Sequence, residues 1–401
     1  MKKILFFLIA VALATGANAQ KKAIAQARTY IKSGKDLEKA EKLMNDLLRD
    51  SANRDNPKIW LALGDAVRMQ YEKGNEKLYL KQKYDTTALF NNAKKLFLIY
   101  EAFDSIDAKP DKKGKVQLKY RDRHAQILNA MRPNLYNGAS YFLRKADYKK
   151  AWDYYDIYLQ CAKQPLFSSF NYAENDTLMA TAAYRALFCA YRMQDMDKTN
   201  KYLETAERDT SLLDNTWRYL AETQIHNADT SAYVTTLKKG FDRYPAHPFF
   251  FPRLVDYYNM KQMPDSVDLF VDNALATDST NTLFLFAKSS ALLNEQKYEE
   301  CINVTQKLMA LNDSMPEAYC NMGLAYYNQA LQLDANGKRT RKKRQAVNQL
   351  YEKSRPYLEK FREMAPEERS KWVPALYTIY LNLNMGKQFE EIDRIREKMT
   401  Q

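Results

Sequence analysis

Three observations predict an all-α fold of stacked antiparallel helix pairs. Trp217, Phe251, Leu285 and Tyr319 follow one another at intervals of 34 residues, a period that marks helix-turn-helix repeats. Their neighbours recur in the same register, as Leu220, Leu254 and Met322, then Ala221, Val255, Ser289 and Gly323, then Tyr258, Leu292 and Tyr326. The 401 residues include only 10 Gly and 12 Pro and no convincing alternating run of Val and Ile, so strands are not expected.

Within a unit, the first helix sets a large residue, a Leu three positions on and a small residue beside it on one face, because 3.6 residues per turn bring these together. The small residue lets the partner helix approach. The second helix supplies Tyr233, Val267 and Cys301, then Leu237, Val271 and Thr305, then Gly240, Ala274 and Leu308, and Pro245, Ser279 and Asp313 close the units. At these positions the chain resembles the tetratricopeptide repeat family. Lys288 departs from the Leu of that pattern, Gln224 from an aromatic and Gly240 from Ala. The resemblance implies a right-handed superhelix, an α-solenoid of antiparallel helix pairs, that binds a partner instead of catalysing a reaction. No helix can bury its apolar face alone, so units must stack on their neighbours.

The chain divides into an export signal at 1–19, divergent repeat-like helices at 20–180 and the clearer array at 181–401, with a basic insertion near 337–345. Lys2 and Lys3, an apolar run from Ile4 to about Ala14 and the stretch Ala17-Asn18-Ala19 have the layout of a secretory signal peptide, with cleavage before Gln20. That run is too short to span a bilayer, which takes about 20 residues, so a soluble mature chain without a transmembrane span is expected. The address is the periplasm or the exterior, with attachment to the outer membrane through a partner. In the front half, Trp60, Leu63 and Gly64 reproduce the first-helix triplet, and Ala139, Phe142, Ala151, Tyr155 and Tyr158 fit another unit. Trp372 opens a last pair that runs through Phe389 and Ile392. The 29 Tyr suit slots between helices, with the hydroxyl at the rim.

No phosphate-binding glycine loop, nucleophile elbow or zinc helix motif occurs, and no catalytic residue or cofactor is expected. His124, His226 and His247 are scattered, so no metal site is expected either. Cys161, Cys189, Cys301 and Cys320 contain no CxxC spacing and read as buried thiols ahead of a disulfide.

The binding surface expected for a protein or peptide partner is the concave face formed by Arg218, Glu222, Phe249, Asp256, Asn259, Asn294, Tyr327 and Asn328. Asn259, Asn294 and Asn328 recur near the ends of first helices, where an amide offers a donor and an acceptor to an extended backbone. Asn also terminates helices, which is the simpler account.

The run Lys338-Arg339-Thr340-Arg341-Lys342-Lys343-Arg344 interrupts the register. It reads as a solvated helix start, with an extended hairpin as the other reading. The alternative function places an anionic envelope polymer or surface on Lys338, Arg339, Arg341, Lys342, Lys343 and Arg344. A net charge of +13, or +11 without Lys2 and Lys3, is consistent with that. The run has no aromatic on which bases could stack, so nucleic acid is not expected. Asp50-Ser51-Ala52, Asp104-Ser105-Ile106, Asp176-Thr177-Leu178, Asp265-Ser266-Val267 and Asp313-Ser314-Met315 resemble acceptors of bacterial periplasmic O-glycosylation. Helix capping accounts for the same residue types.

Overall fold

The computed structural model describes residues 19–111, 113–338 and 340–400. The expected signal peptide therefore lies outside the described residues except at its last position, and so does Arg339 of the basic run. Among the described residues there is no strand.

One compact unit ends at Asp229 and a second begins at Thr230. The first contains α1 (19–33), α2 (Leu37–Leu48), α3 (Pro57–Tyr79), α4 (Thr86–Asp107), α5 (Arg121–Met131), α6 (Pro133–Arg144) and α7 (Tyr148–Gln160). It continues with α8 (Tyr172–Asn175), α9 (Met179–Arg192), α10 (Met196–Lys201), α11 (Leu203–Ala206) and α12 (Leu213–His226). The second contains α13 (Thr230–Arg243), α14 (Phe250–Met260), α15 (Pro264–Thr277), α16 (Thr282–Asn294), α17 (Tyr298–Leu311), α18 (Pro316–Ala335), α19 (Arg341–Met364), α20 (Arg369–Asn382) and α21 (Gly386–Thr400).

Each helix of the second unit packs on the next in sequence, and α18 also touches α16 and α20, so first helices lie side by side. The register residues are the core. Phe251, Leu254, Leu285, Leu292 and Met322 on first helices and Leu237, Val267, Val271, Ala274, Cys301 and Leu308 on second helices are all buried. Tyr319 is only half-buried, with its hydroxyl donating to the Asp313 carbonyl at 3.0 Å.

The hairpin turns repeat with the same period. Gln194, Ala228, Gln262 and Gln296 stand 34 residues apart, each in the left-handed region at φ 55–62°. Around each, two backbone bonds close the helix end. At Gln262, its own N–H donates to the Asn259 carbonyl at 2.9 Å and the Met263 N–H to the Tyr258 carbonyl at 3.0 Å, which is the Schellman arrangement. Ala146 and Asn384 repeat it.

The departures from the family pattern have physical causes. A Cβ on Gly240 would stand 2.3 Å from the Phe250 ring, so Phe250 fills the space that Ala would take. Lys288 reaches Asp268 at 3.1 Å and Asp272 at 2.8 Å on α15 and is mostly buried in that position. Gln224 is buried with its Oε1 unpartnered, for which the structure offers no account.

The basic run starts a helix. Thr340 caps α19, its Oγ1 accepting from the Lys343 N–H at 3.2 Å. The register breaks here because α18 and α19 are long, 20 and 24 residues.

All four cysteines are buried free thiols, with no disulfide between them. Burial pushes the Cys301 thiol up to about 11 and those of Cys189 and Cys320 up to about 12. Of the Asp-Ser/Thr segments, Asp50 caps the helical turn 51–53, accepting from the N–H of Ala52 at 3.0 Å, whereas Asp176 accepts from the N–H of Leu178 at 2.9 Å but follows the end of α8 and does not cap α9. Capping does not account for the other three either. Asp104 lies inside α4 bound to Arg121, Asp265 lies inside α15, and Asn312 accepts from the Ser314 N–H in place of Asp313.

Candidate functional site

Three of the residues expected on the concave face converge. Asp256 and Asn259 on α14 and Asn294 on α16 rim a cleft of about 230 Å³. All three are exposed. Its floor is apolar: Phe251 and Val255 from α14, Val267 from α15, and Leu283, Phe286 and Ala287 from α16. These α16 residues, with Ser290, Ala291 and Asn294, fall at spacings of three and four and so form one stripe.

α16 is positioned at its start by Asn281, whose side chain accepts from the N–H of Leu283 at 3.0 Å. Asn321 on α18 holds the middle, donating to the hydroxyls of Ser289 at 2.9 Å and Ser290 at 3.0 Å. The side-chain amides of Asn259 and Asn294 have no partner among the described residues. Asp256 is the one ionisable side chain in the lining, so the cleft presents a carboxylate, two amides and an apolar floor. Behind it, burial lowers the Lys288 pKa, but the bonds to Asp272 and Asp268 outweigh this and hold it above 10.5. The arrangement suits an apolar side chain on an extended backbone.

The other expected residues stand elsewhere. Phe249 is a correction: it is buried, 5% exposed, with its ring under the Arg253 guanidinium at 3.8 Å and edge-on to Phe250, and cannot face a groove. Arg218 and Glu222 belong to α12 of the first unit. Tyr327 packs inward, its hydroxyl 3.3 Å from that of Thr378 and its ring 6.0 Å from Tyr351. Asn328 lies in mid-helix because α18 continues to Ala335, so it terminates nothing.

Of the expected anion-binding residues, Lys343 is committed to protein. Its Nζ donates to the carbonyls of Asp334 at 2.8 Å, Asn336 at 2.8 Å and Gly337 at 3.2 Å, closing the end of α18. Arg341 and Arg344 line an open cavity of about 510 Å³ that Asp334, Asn348 and Asn382 share. Lys338 and Lys342 are exposed. Among the described residues no group of three or more His, Cys, Asp or Glu is placed to hold a metal, and no helix is long and apolar enough to cross a membrane.

The apolar floor has its own sequence signal, Leu283, Phe286, Ala287 and Ala291 at helical spacing.

No protein-family model matches the sequence, and no curated protein matches it. Solved helical-repeat structures are similar to it at low identity. The C-terminal part of a TPR repeat-containing protein from Cytophaga hutchinsonii is 14% identical, covering 64% of this chain and 92% of that one with a TM-score of 0.41. Cut9–Hcn1 of the APC/C is 13% identical, covering 93% and 86% with a TM-score of 0.37. The P58(IPK) TPR domain is 11% identical, covering 92% and 99% with a TM-score of 0.33. The fold of this chain is all-α and tetratricopeptide-like, with hairpin turns 34 residues apart from Gln194 to Gln296.

Proposed function

We propose that this chain is a non-enzymatic scaffold of the bacterial cell envelope that holds an extended protein or peptide segment in the cleft between α14 and α16. The observation that carries the reading is the pair of unpartnered amides, Asn259 and Asn294, above an apolar floor. An amide gives both a donor and an acceptor to a backbone, and the floor takes a side chain out of water. The reading of export rests on Lys2, Lys3, the apolar run and Ala17-Asn18-Ala19, and with it we propose action in the periplasm or outside, with the outer membrane reached through the partner.

The test is crosslinked affinity capture from a native envelope fraction. Ala287→Trp fills the cleft, and Asn259→Ala with Asn294→Ala removes the amides. Both variants are expected to lose the captured partner at unchanged thermal stability, and capture is expected to persist at high salt. Retention of the partner by both variants would end the reading.

The second reading, an anionic envelope polymer or surface, is favoured by the cavity beside Arg341 and Arg344. Its signature is steep loss of binding with salt and with neutralisation of Arg341, Lys342 and Arg344.

A further inference from the structure

α9 in the first unit carries Tyr184, Arg185, Phe188, Tyr191 and Arg192. These fall at i, i+1, i+4, i+7 and i+8, one stripe of a helix, about 12 Å long at 1.5 Å per residue. Tyr219 of α12 lies against that stripe, 4.8 Å from Tyr191, 5.2 Å from Phe188 and 6.1 Å from Tyr184 between ring centres. Tyr184, Arg185, Phe188 and Tyr219, with Arg144 of α6, frame an open cavity of about 460 Å³, and Tyr191 and Arg192 continue the stripe beyond it.

Guanidinium groups alternate with the rings. Arg218 stands 4.8 Å from the Tyr219 ring, and Arg192 stands 4.7 Å from Tyr148. Arg185 donates to the Ser140 hydroxyl at 3.1 Å. Arg144 and Arg192 are exposed and pair with no carboxylate among the described residues. The Arg218 Nε is buried without a partner. Two carboxylates stand near: Glu222, which accepts from Tyr191, and Asp214, beside Tyr184. The face therefore keeps an excess of positive charge among half-buried rings.

We propose that this face is a binding site for a peptide segment of about four residues carrying both acidic and aromatic side chains. Carboxylates meet the guanidinium forks with charge-assisted hydrogen bonds, and the ligand rings stack on Tyr184, Phe188 and Tyr219. A cationic segment meets four like charges. An aliphatic one leaves the arginines partly desolvated and unpaired. The stripe exceeds the reach of a small aromatic acid, which selects a chain as the occupant. The site lies in the first unit and is separate from the α14–α16 cleft.

The test is calorimetry of the full chain with three end-blocked peptides, Glu-Tyr-Glu-Phe, Lys-Tyr-Lys-Phe and Glu-Ala-Glu-Ala. The first is expected to bind at least tenfold tighter than either other. Arg144→Glu with Arg192→Glu, both exposed and so compatible with folding, is expected to weaken it at least tenfold and to gain affinity for the lysine peptide. Ala287→Trp is expected to leave the binding unchanged, which separates this site from the cleft. The proposal is overturned by equal binding of the three peptides, by no binding of the first, or by unchanged affinity in the charge-reversed variant. Tighter binding of an acidic oligosaccharide such as tetragalacturonate than of the first peptide overturns it too.

Discussion

The guanidinium of Arg132 donates to the carboxylate of Asp176 at 2.6 Å, with the two side chains 6% and 13% exposed. Between the rings of Tyr158 and Tyr172, 3.7 and 3.8 Å away, the guanidinium also reaches the Tyr158 carbonyl at 3.1 Å. One side chain thus ties the α5–α6 junction to α7 and to the segment before α9. Removing one partner of such a pair strands a charge, which costs about 3–5 kcal/mol. Arg132→Leu is therefore expected to lower unfolding free energy by about that amount, read from urea denaturation.

Asp176 also sets an acid limit. Burial raises its pKa, but bonds from Tyr158, the Leu178 N–H and Arg132 outweigh this and hold it below 3.8. Its contribution to stability is present above that value and is lost as pH falls below it.

Glu101 acts in the opposite sense. Burial pushes its carboxyl from 4.5 up to about 7, and its Oε1 has no hydrogen-bond partner. The folded chain holds this proton more tightly than the unfolded one, so the contribution is fully present below pH 4.5 and is lost as pH rises through 7. Glu101→Gln is expected to gain on the wild type by up to about 3 kcal/mol between pH 5 and pH 8, measured by denaturation at both values. A constant difference would refute it. His124, stacked 3.8 Å from Tyr100 and lowered by burial to about 4, runs the other way, losing stability below pH 6.5.

Gly240→Ala tests the close approach of α13 and α14. The new Cβ would stand 2.3 Å from the Phe250 ring, and overpacking of this kind costs about 1–3 kcal/mol. Gly386→Ala, where nothing lies within 4 Å, is expected to be neutral or mildly stabilising. Thermal melts of the two variants give the comparison.

Gln296→Gly tests the turns. A residue with a Cβ in the left-handed region costs about 1–2 kcal/mol, and glycine relieves this at some loss of chain entropy. A net gain on the order of 0.5–1 kcal/mol is expected, and a loss on chemical denaturation would show that Gln296 makes a compensating contact.

The core was legible because burial imposes a period: Phe251, Leu254, Val267, Leu285 and Leu308 had to recur for the helices to stack. The turns were not, because their left-handed positions carry Gln and Ala in place of the Gly that usually marks them. The cleft was half legible. Exposed Asp256, Asn259 and Asn294 followed from the register, whereas Phe249 did not, because a residue just before a helix takes its direction from the entering loop. The fate of Lys343 was hidden for a related reason: charge composition cannot tell a cation facing solvent from one closing the neighbouring helix.

The even beat of Gln194, Ala228, Gln262 and Gln296 gives the array a seam at every turn. Cut or duplicated from one seam to the next, the polypeptide keeps its phase, because the segment removed or added brings its own complete stop. Evolution can thus lengthen or shorten the array by whole hairpins without redesigning those that remain.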